Sequence, residues 1–183
     1  MPFKRRVFPL LLSLAAMVPL AAPASATSLV RRGIESLTRD NETIVQASVL
    51  DIHSYWNAAH TFIFTDVHVR ASAKFKGAPA DDLDFTVMGG TVGQTTTLIV
   101  GGPDLVPGSE YVLFLSHTDL PDSPGMLTVR DLCQGVFAVR KGRAFSQANS
   151  EPLLPDAQGI ADAPGGADGL PLETLAQQIH DAR

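Results

Sequence analysis

Four histidines, His53, His60, His68 and His117, are the first residues to weigh for metal chemistry. They are scattered, with no His-x-x-x-His spacing and no cysteine pair beside them. Asp66 and His68 do share one face if their segment is a strand, because side chains two apart align. That is one carboxylate and one imidazole, where a catalytic zinc takes about three protein ligands. Arg70, Ser72 and Lys74 continue the same face, which therefore reads as solvated, and no metal ligand is assigned.

Nucleophilic chemistry has as little to build on. There is no Gly-x-Ser-x-Gly elbow. Cys133 is the single cysteine and sits among Leu132, Val136 and Phe137, an apolar setting that raises a thiol pKa and predicts an inert, buried side chain. Asp81, Asp82 and Asp84 could supply the carboxylates of a glycosidase, but they follow Lys76-Gly77-Ala78-Pro79 and read as exposed turn acids. Gly89-Gly90-Thr91-Val92-Gly93 lacks the Lys-Ser/Thr of a phosphate loop and predicts a turn or bulge needing positive φ. No catalytic residue and no cofactor is assigned.

The segment 54–60, Ser-Tyr-Trp-Asn-Ala-Ala-His, remains. It holds the one tryptophan, one of the two tyrosines and a histidine. Aromatic residues in loops are enriched at binding sites. Tyr55, Trp56 and His60 are therefore the candidate contact residues; the competing reading is that Trp56 caps an open end of the fold.

The elements that would position them are mostly strands. Residues 43–53 are rich in β-branched side chains, with Val45, Ala47 and Val49 on one face. Over 61–75, Ile63, Val67, Val69, Ala71, Ala73 and Phe75 alternate with Asp66, His68, Arg70, Ser72 and Lys74, the period of a half-buried strand. Further strands are predicted over 83–88, 95–100, 111–115, 126–130 and 135–140. The run 111–115 is apolar throughout and predicts burial on both faces. Lys141-Gly142 predicts a hairpin turn into Ala144-Phe145. Helices are predicted over 28–38 and, from Pro171, over 171–180, where Leu172, Leu175, Ala176 and Ile179 share a face.

Residues 1–26 have the three parts of a signal peptide: Lys4, Arg5 and Arg6, an apolar run, and Pro23-Ala24-Ser25-Ala26 before the cleavage point. Pro9 and Pro19 interrupt the run, which argues against a membrane anchor. Export to the periplasm or the medium is the expectation, by the ordinary unfolded route, although Arg5-Arg6-Val7-Phe8 partly matches a twin-arginine signal. Cleavage leaves 157 of the 183 residues, and removing three basic residues from 14, with 19 acidic ones kept, takes the net charge from −5 to −8. So acidic a chain has no electrostatic footprint for nucleic acid. The expected layout is a β-barrel domain over 27–146, a Pro/Gly/Ala-rich linker over 147–170 and a C-terminal helix over 171–183.

Several pieces carry a resemblance: Thr61-Phe62-Ile63-Phe64-Thr65, Val67-His68-Val69, Phe75-Lys76-Gly77, Gly89-Gly90-Thr91-Val92-Gly93, Pro107-Gly108-Ser109-Glu110-Tyr111-Val112-Leu113-Phe114-Leu115 and Gln134-Gly135-Val136-Phe137. Together they resemble a sparsely characterised group of exported bacterial proteins and, more distantly, the netrin-like domain of tissue inhibitors of metalloproteinases. The resemblance implies a small all-β fold: an OB-like barrel, closed or partly open. In those inhibitors a cysteine at the mature N-terminus chelates the protease zinc. Here that position is Thr27, so the mechanism has no residue to carry it.

The reading is an exported, non-catalytic binding protein whose partner is another exported protein or a small ligand. The alternatives are a secreted hydrolase or metal-dependent enzyme with a dispersed site, and an inhibitor of a co-exported protease. Oligomeric state is left open.

Overall fold

In the computed structural model, which describes residues 30–120, 123–150 and 165–183, the alternating segments become two long antiparallel strands, β1 (Thr43–Trp56) and β2 (Ile63–Lys76). The fold is mainly β, with a short helix before β1 and another at the C-terminus. After β2 come β3 (Asp82–Met88), β4 (Gly90–Val92), β5 (Thr95–Thr97), β6 (Glu110–Leu120), β7 (Ser123–Val129), β8 (Val136–Arg140), β9 (Arg143–Ser146) and β10 (Leu170–Pro171). The helices are α1 (Ile34–Asp40) and α2 (Leu172–Asp181). The signal segment and residues 151–164 of the expected linker lie outside the described residues.

The main sheet runs β10-β9-β8-β6-β1-β2-β3, with β7 also paired to β6, while β4 and β5 form a separate two-stranded ribbon. The sheet is not closed into a barrel: β3 packs beside β7, but the ladder ends at each of them. Ile99 and Pro103, from the β5–β6 connection, sit in that seam with Val87 and Met88 of β3 and Thr128 and Val129 of β7 around a cavity of about 50 Å³. Side chains, rather than backbone hydrogen bonds, cover the open side.

β6 explains why one sheet makes two cores. Tyr111, Leu113 and Leu115 face a cluster with Val45, Val67, Val69 and Phe85, whereas Val112 and Phe114 face another with Ile44, Phe137, Leu37 of α1, and Leu175 and Ile179 of α2. Burial on both faces is what a continuous apolar run predicts. Each fully buried side chain of this size contributes about 1.5–3 kcal/mol over exposure. Cys133 is buried beside Ala148.

Four expectations need adjusting. α1 starts at Ile34 rather than 28, because Gly33 is extended at the N-cap and Val30 lies in a β-bridge. Only Thr95–Thr97 of the 95–100 segment is strand; Leu98 and Val100 project into solvent at 82% and 79% exposure. The expected linker contains ordered structure at its end, where Leu170 pairs with Ala144 and the Gly169 backbone lies close against Phe145. Finally, β1 runs through Tyr55 to Trp56, so two of the three candidate contact residues lie on a strand and not in a loop. Their cross-strand partners Phe64 and Ile63 extend the ladder past the point where the sequence turns polar. Lys141 and Gly142 form the expected two-residue hairpin turn, both with positive φ.

Candidate functional site

A break in β1 creates the site. The register shifts between Val49 and Asp51, leaving Leu50 as an unpaired bulge residue. Before the bulge β1 pairs with β6, over Thr43 to Ser48; beyond it β1 pairs only with β2. A bulge bends its strand and increases the local twist. The distal half of the β1–β2 hairpin thus leaves the β6 ladder, and a cleft of about 590 Å³ opens in front of it.

Ile52, His53 and Ser54 of β1, Thr65 and Val67 of β2, Val87 and Met88 of β3, and the 103–105 segment line this cleft. Gly89, Gly90 and Thr91 close its floor. Gly90 has φ +132°, and a Cβ there would stand 2.2 Å from Thr65 Oγ1 and 2.5 Å from Ser54 Oγ. Only glycine lets the backbone pass so close to the two hydroxyls. The far wall is pinned from outside: Asp104 N–H donates to Gln147 Oε1 at 2.9 Å, Gln147 Nε2 donates to the Asp104 carbonyl at 2.5 Å, and Val106 N–H donates to Tyr111 Oη at 3.0 Å.

The hydroxyls have a defined polarity. Thr65 Oγ1 donates to the Gly89 carbonyl at 2.7 Å, which uses its one proton. The 2.8 Å contact between Ser54 Oγ and Thr65 Oγ1 then requires Ser54 to be the donor. Ser54 is left with lone pairs alone to offer to anything in the cleft.

Tyr55 and Trp56 point to opposite faces of β1, as neighbours on a strand must. Tyr55 Oη donates to Asp66 Oδ1 at 3.2 Å, and Thr86 Oγ1 donates to the same oxygen at 2.6 Å. The Tyr55 ring lies 6.4 Å from His53 and 6.3 Å from Phe64, centroid to centroid. Burial, and then the Asp66 charge, push the Tyr55 phenol above its ordinary pKa. Trp56 instead meets His60 across the hairpin tip, with ring centroids 6.2 Å apart. Asn57 organises that tip: its Oδ1 accepts from the N–H groups of Thr61 at 2.8 Å and Phe62 at 3.0 Å, and His60 takes φ 54°. The structure brings Trp56 and His60 together and places Tyr55 with Asp66 on the other face. None of the three lines the cleft.

The remaining polar candidates are held in cross-strand pairs. His68 Nδ1 lies 2.7 Å from Asp84, Arg70 Nε 2.7 Å from Asp82, and Lys74 Nζ 2.7 Å from Asp81. The hydrogen bond from Arg70 draws the Asp82 carboxyl below its ordinary pKa. Asp66 and His68 do share a face, yet each is turned to a different neighbour. Among the described residues, no three His, Cys, Asp or Glu side chains are grouped to hold a metal, and no helix is long and apolar enough to cross a membrane.

Sequence reasoning missed Ser54, Thr65 and Asp104 as site residues. Nothing local marks them, because the cleft depends on a bulge at Leu50 and on loop 103–105 folding back. Gly89-Gly90 was the one legible signal, and both glycines do have positive φ. No protein-family model matches this chain, and no curated protein matches it in sequence.

Proposed function

We propose that this is an exported, non-catalytic binding protein that seats a small ligand in the cleft between the distal β1–β2 hairpin, β3 and loop 103–105. The observation that carries the reading is the cleft itself. At about 590 Å³ it has the size of small-molecule sites, which run roughly 300–1,000 Å³. Its wall mixes Ile52, Val67, Val87 and Leu105 with a few polar groups, His53, Ser54, Thr65 and Asp104. That combination suits orientation of a bound molecule, and the one serine hydroxyl gives its proton to Thr65, which donates on to a backbone carbonyl, whereas an activated nucleophile would give it to a base.

The test is an amide NMR titration of the purified protein with small-molecule fractions of the exported milieu. Binding should move the resonances of Ser54, Thr65 and Thr91, and Ser54→Leu, which fills the cleft, should abolish the response. Shifts confined to Trp56 and His60 would instead make the hairpin tip the contact surface.

A further inference from the structure

Resting on the reading that the cleft is a ligand seat, we infer that its ligand is a small organic cation, an amine whose N–H groups donate to the wall. Two independent features give the cleft this preference. The first is the direction of the hydroxyl relay. Ser54 donates to Thr65, and Thr65 donates to the Gly89 carbonyl. The protons run away from the cleft into the backbone, so Ser54 Oγ can only accept. A ligand carboxylate or phosphate would meet lone pairs there; an ammonium group supplies three donors.

The second feature is charge. Asp104 lines the cleft, with neither Lys nor Arg among the lining residues. Its backbone is clamped by Gln147, and among the described residues no cationic side chain lies in ion-pair contact with its carboxylate. His53 is the other titratable group of the lining. An incoming cation therefore gains an unpaired, exposed carboxylate, while an anion meets its repulsion, an interaction that salt screens.

A matched series tests this: 1,6-diaminohexane, 1,6-hexanediol and adipate have the same carbon count and differ in end-group charge. Each is titrated into the purified protein at pH 8, with affinity read by calorimetry and location read by amide NMR. The diamine should bind at least about tenfold more tightly than adipate, a factor of ten in Kd being the scale of one well-placed charge pair. Its affinity should fall several-fold in Asp104→Asn, in which hexanediol binding is unchanged, and should fall again in high salt. Ser54→Ala should weaken the diamine while leaving the unfolding midpoint close to that of the parent.

Adipate binding as well as the diamine, with shifts at Ser54 and Thr65, would overturn the cation preference and leave the seat in place. Diamine shifts at residues outside the cleft would overturn the seat. No response to any of the three would overturn the amine assignment.

Discussion

Tyr55 Oη donates to Asp66 Oδ1 diagonally across the β1–β2 ladder, two residues along from His53, which lies directly opposite Asp66. The contact turns the tyrosine into part of the sheet's outer face and separates it from its chain neighbour Trp56. Thr86 supplies the second donor from β3, so one carboxylate joins three consecutive strands. This is the physical reason that Tyr55 belongs to the scaffold and not to the cleft. Tyr55→Phe should therefore lower unfolding stability in urea by about 1–2 kcal/mol, the scale of a hydrogen bond to a charged acceptor partly open to water, while leaving ligand binding unchanged. A change in affinity without a change in stability would contradict this assignment.

The same contact sets an alkaline behaviour. Folding raises the Tyr55 pKa above its ordinary value of 10.0. The folded state thus holds the phenolic proton more tightly than the unfolded chain does. Its contribution is fully present below about pH 10 and fades as pH rises toward the higher folded pKa. In Tyr111→Phe, Tyr55 is the remaining tyrosine, and its ultraviolet tyrosinate titration should have a midpoint above 10. A midpoint at or below 10 would show that the ring is neither desolvated nor close to the Asp66 charge.

At acid pH the relevant group is Glu42, which the hydrogen bond from His117, at 2.9 Å, holds below the usual glutamate range. A depressed carboxyl pKa stabilises the fold above the unfolded value of 4.5 and loses that contribution as pH falls through the folded value. Both side chains are well exposed, so the effect is small and screened by salt. Glu42→Gln should flatten the dependence of the urea midpoint on pH below about 4.5; an unaltered slope would remove Glu42 from the account.

The two glycines Gly90 and Gly93 give a matched contrast. Both have positive φ, yet a Cβ at Gly93 meets nothing within 4 Å, whereas one at Gly90 strikes Thr65 Oγ1 and Ser54 Oγ. Gly93→Ala should lose about 1–2 kcal/mol from backbone strain alone. Gly90→Ala should add an overpacking penalty of about 1–3 kcal/mol and disturb the cleft, read as altered amide shifts at Ser54 and Thr65. Equal destabilisation by the two substitutions would mean that Gly90 does not pass close to the hydroxyls.

Leu175 and Ile179 test how α2 is held. Both are fully buried against Ile34, Leu37, Val112 and Phe114. Leu175→Ala should destabilise the protein by about 2–5 kcal/mol, as expected for a large-to-small change in a core, and global unfolding should report it. A loss below about 0.5 kcal/mol, the range of surface substitutions, would mark the helix as a loosely attached appendage.

The β class, both helices and the faces of the long strands were legible in the residues alone. Those features are local: period-two alternation over 63–75 leaves one way to bury Val67 and Val69, and a continuous apolar run such as Tyr111 to Leu115 can satisfy itself only between two packed layers. Lys141-Gly142 and Gly89-Gly90 were legible because positive φ is chemically restrictive. The rest depends on how distant segments pack. The bulge at Leu50 has no residue signature; it arises where β1 must leave β6 and still keep its pairing with β2. The end of β1 at Trp56 was hidden for a similar reason, since a polar hairpin tip is extended by its partner strand and not by its own propensity. The cleft depends on Ser54, Thr65 and Asp104, which lie far apart in sequence. Its polarity rests on which hydroxyl donates to which, a matter settled by the distance from Thr65 to the Gly89 carbonyl and by nothing in the composition.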